Sequence, residues 1–314
     1  LTAEQIADGL TTSQLRALTT SQLASFSPGQ IASLTTVQLA SLSSSQTRAF
    51  TVNQIKALTS DQIGALETED ITVFSTAQIA AISSAQINGL TTTQIAGLST
   101  SQVKSLTTAQ IRALSQEQIA GIETVDIPVL STAQLAAITT AQVTGLTSDQ
   151  LGALTTTQLK ALATTQLAAM SPEQIASFSN ERLALLTTSQ IAGLTTSQIA
   201  SGLTTEQLNA LTSAQIAALT TGQIAALTTD QLAGTAGSLL PKLSAAQIKS
   251  LTSEQLATVG SDIIAGLATS QVAALTTEQV VTLATSQIQA LTTSQIQALT
   301  TSQIGALNTD QIGA

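Results

Sequence analysis

Leu291-Thr292-Thr293-Ser294-Gln295-Ile296-Gln297-Ala298 is followed directly by Leu299-Thr300-Thr301-Ser302-Gln303-Ile304-Gly305-Ala306. Two eight-residue units stand in tandem, and the pattern extends outward to both ends of the chain. With Leu as position one, the 314 residues divide into 39 units plus two single inserted glycines, Gly9 and Gly202. A fixed short period is the signature of a repeat architecture, in which one unit cannot bury its apolar face alone. The expected organisation is a single continuous solenoid over residues 1–314.

The positional bias is strong. Position one is apolar in every unit except that of Thr235, and position two is Ser or Thr in 31 of 39. Position five is Gln in 34 of 39, with Asp70, Asp126, Arg182, Leu239 and Ile263 as exceptions. Position six is aliphatic except at Thr47, and position eight is Ala, Gly or Ser in 32 of 39.

Positions two and five make S/T-x-x-Q, a capping box. The hydroxyl accepts from the amide three residues on, and the Gln side chain reaches back to the cap amide. Thr292 with Gln295, and Thr300 with Gln303, are the expected caps. The apolar residue before the cap and the fourth helical residue then form a hydrophobic staple. Leu291 with Ile296, and Leu299 with Ile304, are therefore the expected core.

Two other residue types support this phase. Pro28 and Pro172 both fall on position three, the first helical residue, where proline sacrifices no hydrogen bond. Position four carries 13 of the 18 acidic residues, and position seven carries seven of the nine basic ones. Acids at a helix start and bases at its end suit the helix dipole, and both positions mark a solvent face.

One long helix does not fit. Eight residues turn about 800°, so successive apolar pairs would rotate by about 80° and form no seam. A β-solenoid would need alternating polarity, which is absent, and has no use for a capping box. The expected fold is all-α: about 39 short capped helices, one per repeat. Helices this short are unstable alone, so they must stack, with successive units placed on alternate sides. Small residues at position eight would permit tight turns between them.

The irregular units are the places to look for chemistry. Leu66-Glu67-Thr68-Glu69-Asp70-Ile71-Thr72-Val73 and Ile122-Glu123-Thr124-Val125-Asp126-Ile127-Pro128-Val129 are variants of each other. Glu67, Asp70, Glu123 and Asp126 are candidate calcium ligands. Calcium takes about six to eight oxygens, however, so carboxylates substituting in a duplicated cap is the favoured reading. Residues 235–242 are the most degenerate unit and read as a worn repeat rather than a hinge, because the register survives. Gly9 and Gly202 are expected to bulge the stack locally. The four Phe residues all occupy position one, as bulkier core filling. Arg182 reads as a drifted cap rather than a docking point for a carboxylate.

Composition excludes much chemistry. There is no His, Cys, Tyr or Trp, so the usual bases, thiol nucleophiles and zinc ligands are missing. No catalytic site, metal or cofactor is expected. Nine basic residues against a net charge of −9 make no patch for nucleic acid, and no apolar run approaches membrane length. Leu1 to Asp8 is already a repeat unit, so no cationic leader is read there. The chain is expected to be a segment of something longer.

Long runs of LTTxQIxA resemble the repeat regions of very large secreted or surface-attached bacterial proteins. The resemblance covers all the units and implies an extracellular filament, stalk or adhesin spacer with no catalytic residue. The partner on that reading is the chain itself, end to end or side by side. The alternative is a repetitive binding surface for ice, glycan or mineral built from the regularly spaced Ser and Thr; a glycosylated stalk is a third.

Overall fold

The computed structural model describes residues 1–313. Helix makes up 69% of it, with no strand among the described residues. Most helices have four to six residues, one per repeat, as in Thr293–Ala298 and Thr301–Ala306. Each begins where the capping box places it. Thr292 is extended (φ −69°, ψ 158°) and caps Thr293–Ala298, with its side chain accepting from the Gln295 N–H. Pro28 and Pro172 open the helices Pro28–Ala32 and Pro172–Ala176.

Many helices end because position one returns to extended geometry. Leu299, for example, has φ −63° and ψ 135°. No described residue has a positive φ, so the corners are built without left-handed glycine. The chain turns through one or two extended residues, then re-enters a helix.

The chain divides into two compact units, Leu1–Leu162 and Ala163–Ala314. In both, a helix packs on the one three units further along. In the first, Pro28–Ala32 packs on Val52–Ala57, and Thr76–Ala81 on Thr100–Ser105. In the second, Ala245–Ser250 packs on Thr269–Ala274, which packs on Thr293–Ala298. One turn of the solenoid is therefore three repeats. The alternate-side arrangement suggested by the sequence is corrected to a three-sided one. A capping-box helix plus a short extended corner turns the chain too little for a hairpin, and three corners close the circuit.

Position six lies inside this circuit. Ile55, Ile63, Ile71 and Ile79 are wholly buried, and position one lies close behind, with Leu58 and Leu66 each 3% exposed. Phe26, Phe50 and Phe74 follow one another at intervals of three repeats and occupy the same corner of successive turns of the first unit. Position eight lies over position three of the turn below. A Cβ on Gly145 would sit 2.7 Å from the Gln116 carbonyl oxygen, and one on Gly97 2.8 Å from Thr68 Cγ2. The small residue at position eight thus answers a neighbour in the next turn, not the next helix in sequence.

Two core expectations need correction. Ile296 is 40% exposed and Ile304 49% exposed. Leu291 is half-buried and Leu299 buried. A sixth-position side chain is sealed by the following turn, and no described residue supplies a turn over Ile296 and Ile304.

The irregularities are absorbed locally. Gly202 sits in a π-helical turn, Gln198–Gly202, which packs on Pro172–Ala176. This is how a helix accommodates one extra residue. Residues 235–242 do not break the chain. The preceding helix runs on through them as Thr229–Leu239, then a 3₁₀ turn, Leu240–Lys242. Thr235, the one polar residue at position one, donates its hydroxyl to the Gln231 carbonyl (2.7 Å) and so is satisfied while buried.

Candidate functional site: the glutamine ladder

The most ordered polar feature is made by the fifth-position glutamines. Gln110 is 1% exposed. Its Oε1 accepts the Thr107 N–H at 2.7 Å and the Thr107 hydroxyl at 3.0 Å, while Thr107 Oγ1 accepts the Gln110 N–H at 3.2 Å. That is the capping box. Its Nε2 then donates to the carbonyls of Ile79 and Ile82 in the turn below, both at 2.7 Å.

The same bonds recur along the first unit, as at Gln118 to Ile87 and Leu90, and Gln150 to Ile119 and Ile122. They recur in the second at Gln247 to Ile216 and Leu219, and Gln295 to Ile264 and Leu267. The spacings are 31 and 28 residues. The acceptors are a last-turn carbonyl of one helix and the carbonyl at the corner that follows it. Both are among the groups that a short helix leaves without intrahelical partners.

This explains why position five is Gln and not Glu. A capping box accepts either residue, because it uses only an acceptor. The ladder also needs a donor with two hydrogens, which the amide has and a carboxylate lacks. Gln303 repeats the arrangement, bonding the Thr300 N–H through Oε1 and Val272 and Leu275 through Nε2. Capping was legible in the sequence. The bonds between turns were not, although the near-invariance of Gln over Glu was their signal.

The ladder accommodates Gly202 by lengthening its reach in sequence. Gln215 and Gln223 bond 32 and 29 residues back, and by Gln247 the spacings are again 31 and 28. A cap lacking its hydroxyl keeps the Gln half, as where the Ala284 N–H donates to Gln287 Oε1 at 2.8 Å.

At Asp70 and Asp126 the rung is lost, because a carboxylate has no hydrogen to donate. Asp70 is 2% exposed; its Oδ1 accepts the Thr47 hydroxyl at 3.2 Å, and its Oδ2 has no partner. Asp126 is 3% exposed with Oδ1 unpartnered. Its unit is a 3₁₀ turn, Thr124–Val129. Pro128 inside it has no N–H to give an α-helical bond. Glu67 and Glu123 occupy cap positions, are exposed, and make no side-chain cap bond. The four candidate calcium ligands are not brought together: the two variant units lie seven repeats apart, on different sides and turns. Among the described residues, no three His, Cys, Asp or Glu side chains group to hold a metal. Arg182 lies over the Phe178 ring, 6.0 Å from its centroid, and burial lowers its pKa from the ordinary value.

The outer surface is polar and unevenly charged. In the second unit, Glu181, Glu206, Asp230, Glu254 and Glu278 are all exposed and recur once per turn on one side. At Glu173 and Glu181, hydrogen bonds first from the cap serines Ser171 and Ser179 and then from each residue's own amide hold the carboxyl below its usual range. Among the described residues, no helix is long and apolar enough to cross a membrane.

Short capped helices stacked by a repeating side-chain ladder define an α-helical solenoid repeat protein. Its repeats match the ALTTAQ repeat model at residues 8–36, 36–68, 63–100, 119–156, 151–180, 201–234 and 281–314, more than half of the chain. The chain belongs to the ALTTAQ repeat family. Ala137-Ile138-Thr139-Thr140-Ala141-Gln142 follows that pattern through a position eight and the five residues after it. No curated protein matches it. Among solved structures, it is similar to the leucine-rich repeat-containing protein LegL7 from Legionella pneumophila. The identity is 13%, over 88% of this chain and 86% of that one, with a TM-score of 0.17, too low to support any inference.

Proposed function

We propose that this chain is a structural spacer or fibre segment of a bacterial cell surface, acting through its regular stacking and without catalysis. The observation that carries the reading is the ladder, which makes every turn a donor face and an acceptor face for the same partner. A second copy carries the same donor and acceptor groups, so copies that meet through these faces stack as one more turn would. The resemblance to repeat regions of secreted proteins supports the extracellular placement.

The test is negative-stain electron microscopy with sedimentation over a concentration series. Concentration-dependent end-to-end growth is the expected result. Particles that stay monomeric at all concentrations sink the self-stacking part and leave a spacer.

A second reading is a repetitive binding surface. It is favoured by the exposed hydroxyls at positions three and four, such as Thr92 and Thr93, which the caps do not use. Growth inhibition of ice, or retention on glycan, by the soluble chain would select it.

A further inference from the structure

We propose that Thr47 and Asp70 form a register pin, a buried polar pair that selects which repeat stacks on which. The need for one follows from the repetition. Neighbouring units are nearly identical, so a chain that looped out one unit would keep most core contacts and rungs in the turns beyond it. Weakly specified pairings of this kind are prone to alternative registers. A unique arrangement requires units whose mismatch is costly, and a buried polar pair is a recognised device for that purpose.

Thr47 is the one sixth-position residue of the chain that is not aliphatic, and it is wholly buried. Asp70 is one of five fifth-position residues that are not Gln, and it is 2% exposed. The native stacking brings these two exceptions together, with the Thr47 hydroxyl 3.2 Å from Asp70 Oδ1 and equally near the Ser44 carbonyl, its alternative acceptor. Looping out one unit between them would set Thr47 against Gln78, and Asp70 against Leu39. The carboxylate would then be buried with neither oxygen bonded.

Asp126 shows that an Asp at this position does not find such a partner by itself. Val103 stands before it in the sequence as Thr47 stands before Asp70, and offers its carboxylate no hydroxyl. The pairing at 47 and 70 is therefore specific to that pair of units.

The test uses the full chain, which has no cysteine, with spin labels on Ser45→Cys and Thr93→Cys. Both sites are exposed and lie two turns apart on the same side of the first unit. After unfolding and refolding, the wild-type background is expected to give one narrow distance distribution at about 20 Å, roughly two helix-packing layers. The consensus double variant Thr47→Ile/Asp70→Gln is expected to fold at least as stably but to show a second distance from slipped chains. Thr47→Ile alone should lower the folding equilibrium constant of this segment at least about tenfold, by leaving the buried carboxylate unbonded. In the Asp70→Gln background the same change should cost nothing. A double variant with a single narrow distribution, or an equal cost of Thr47→Ile in both backgrounds, overturns the proposal.

Discussion

Replacing Gln110 by Glu separates the two jobs of the fifth position. Glu retains an acceptor for the Thr107 cap, so the capping box survives. It loses both hydrogens now given to Ile79 and Ile82 at 2.7 Å. The Ile79 carbonyl keeps its bond from the Ile82 N–H at 3.2 Å, whereas the Ile82 carbonyl loses its ladder donor. Two lost bonds cost about 1–3 kcal/mol together, and a carboxylate facing two carbonyls at 1% exposure adds to that. The expected destabilisation at pH 7 is about 3–5 kcal/mol, the range for an uncompensated buried charge. Burial and the two facing carbonyls raise the pKa of the introduced Glu, so the deficit should shrink as pH falls through that raised value and be least below the unfolded Glu value of about 4.3. Gln14→Glu is the internal control. Gln14 Oε1 accepts the Thr11 N–H at 2.9 Å, its amide nitrogen has no acceptor among the described residues, and the residue is exposed. That change should be close to neutral. The assay is urea unfolding followed by circular dichroism, with hydrogen exchange around residues 79–110, because repeat arrays open by segments. Equal effects of Gln110→Glu and Gln14→Glu would refute the ladder and leave capping alone.

Other outcomes follow from the same geometry. Asp126→Gln should restore a missing rung and stabilise the chain by about 1–3 kcal/mol, read as a higher urea midpoint; a loss of stability would show that the Asp126 corner cannot accept an amide. Gly145→Val should destabilise by about 1–3 kcal/mol, since its Cβ would press on the Gln116 backbone of the turn below. Gly152→Val, with nothing near its Cβ, is the matched control for thermal melts. At Glu173 and Glu181 the folded-state pKa is depressed, so any stability they contribute is present above the unfolded Glu value and is lost as pH falls through the folded one. Glu173→Gln/Glu181→Gln should accordingly flatten the acid limb of a melting-temperature profile below about pH 4.3, and an unchanged limb would remove these groups from the account.

What this chain does locally was written in single units of eight. The S/T-x-x-Q box, proline at the first helical position and the charge gradient from position four to position seven act within one helix. They are short-range interactions, legible without knowing where the chain goes next. Helix type, phase, length and number could therefore be read from residues such as Thr292, Gln295, Pro28 and Pro172. What lies a full turn of the solenoid away could not. The number of units per turn depends on the angle at each corner, summed over three corners, and no residue type encodes that sum. Only the stacked structure placed Gln110 over Ile79 and Ile82, laid Gly145 over Gln116, paired Thr47 with Asp70, and left Ile296 and Ile304 uncovered where the pattern alone would have buried them. The octapeptide determined the helix; the distance at which one octapeptide meets another was decided by tertiary packing, because burial and hydrogen-bond satisfaction are properties of the stack and not of the unit.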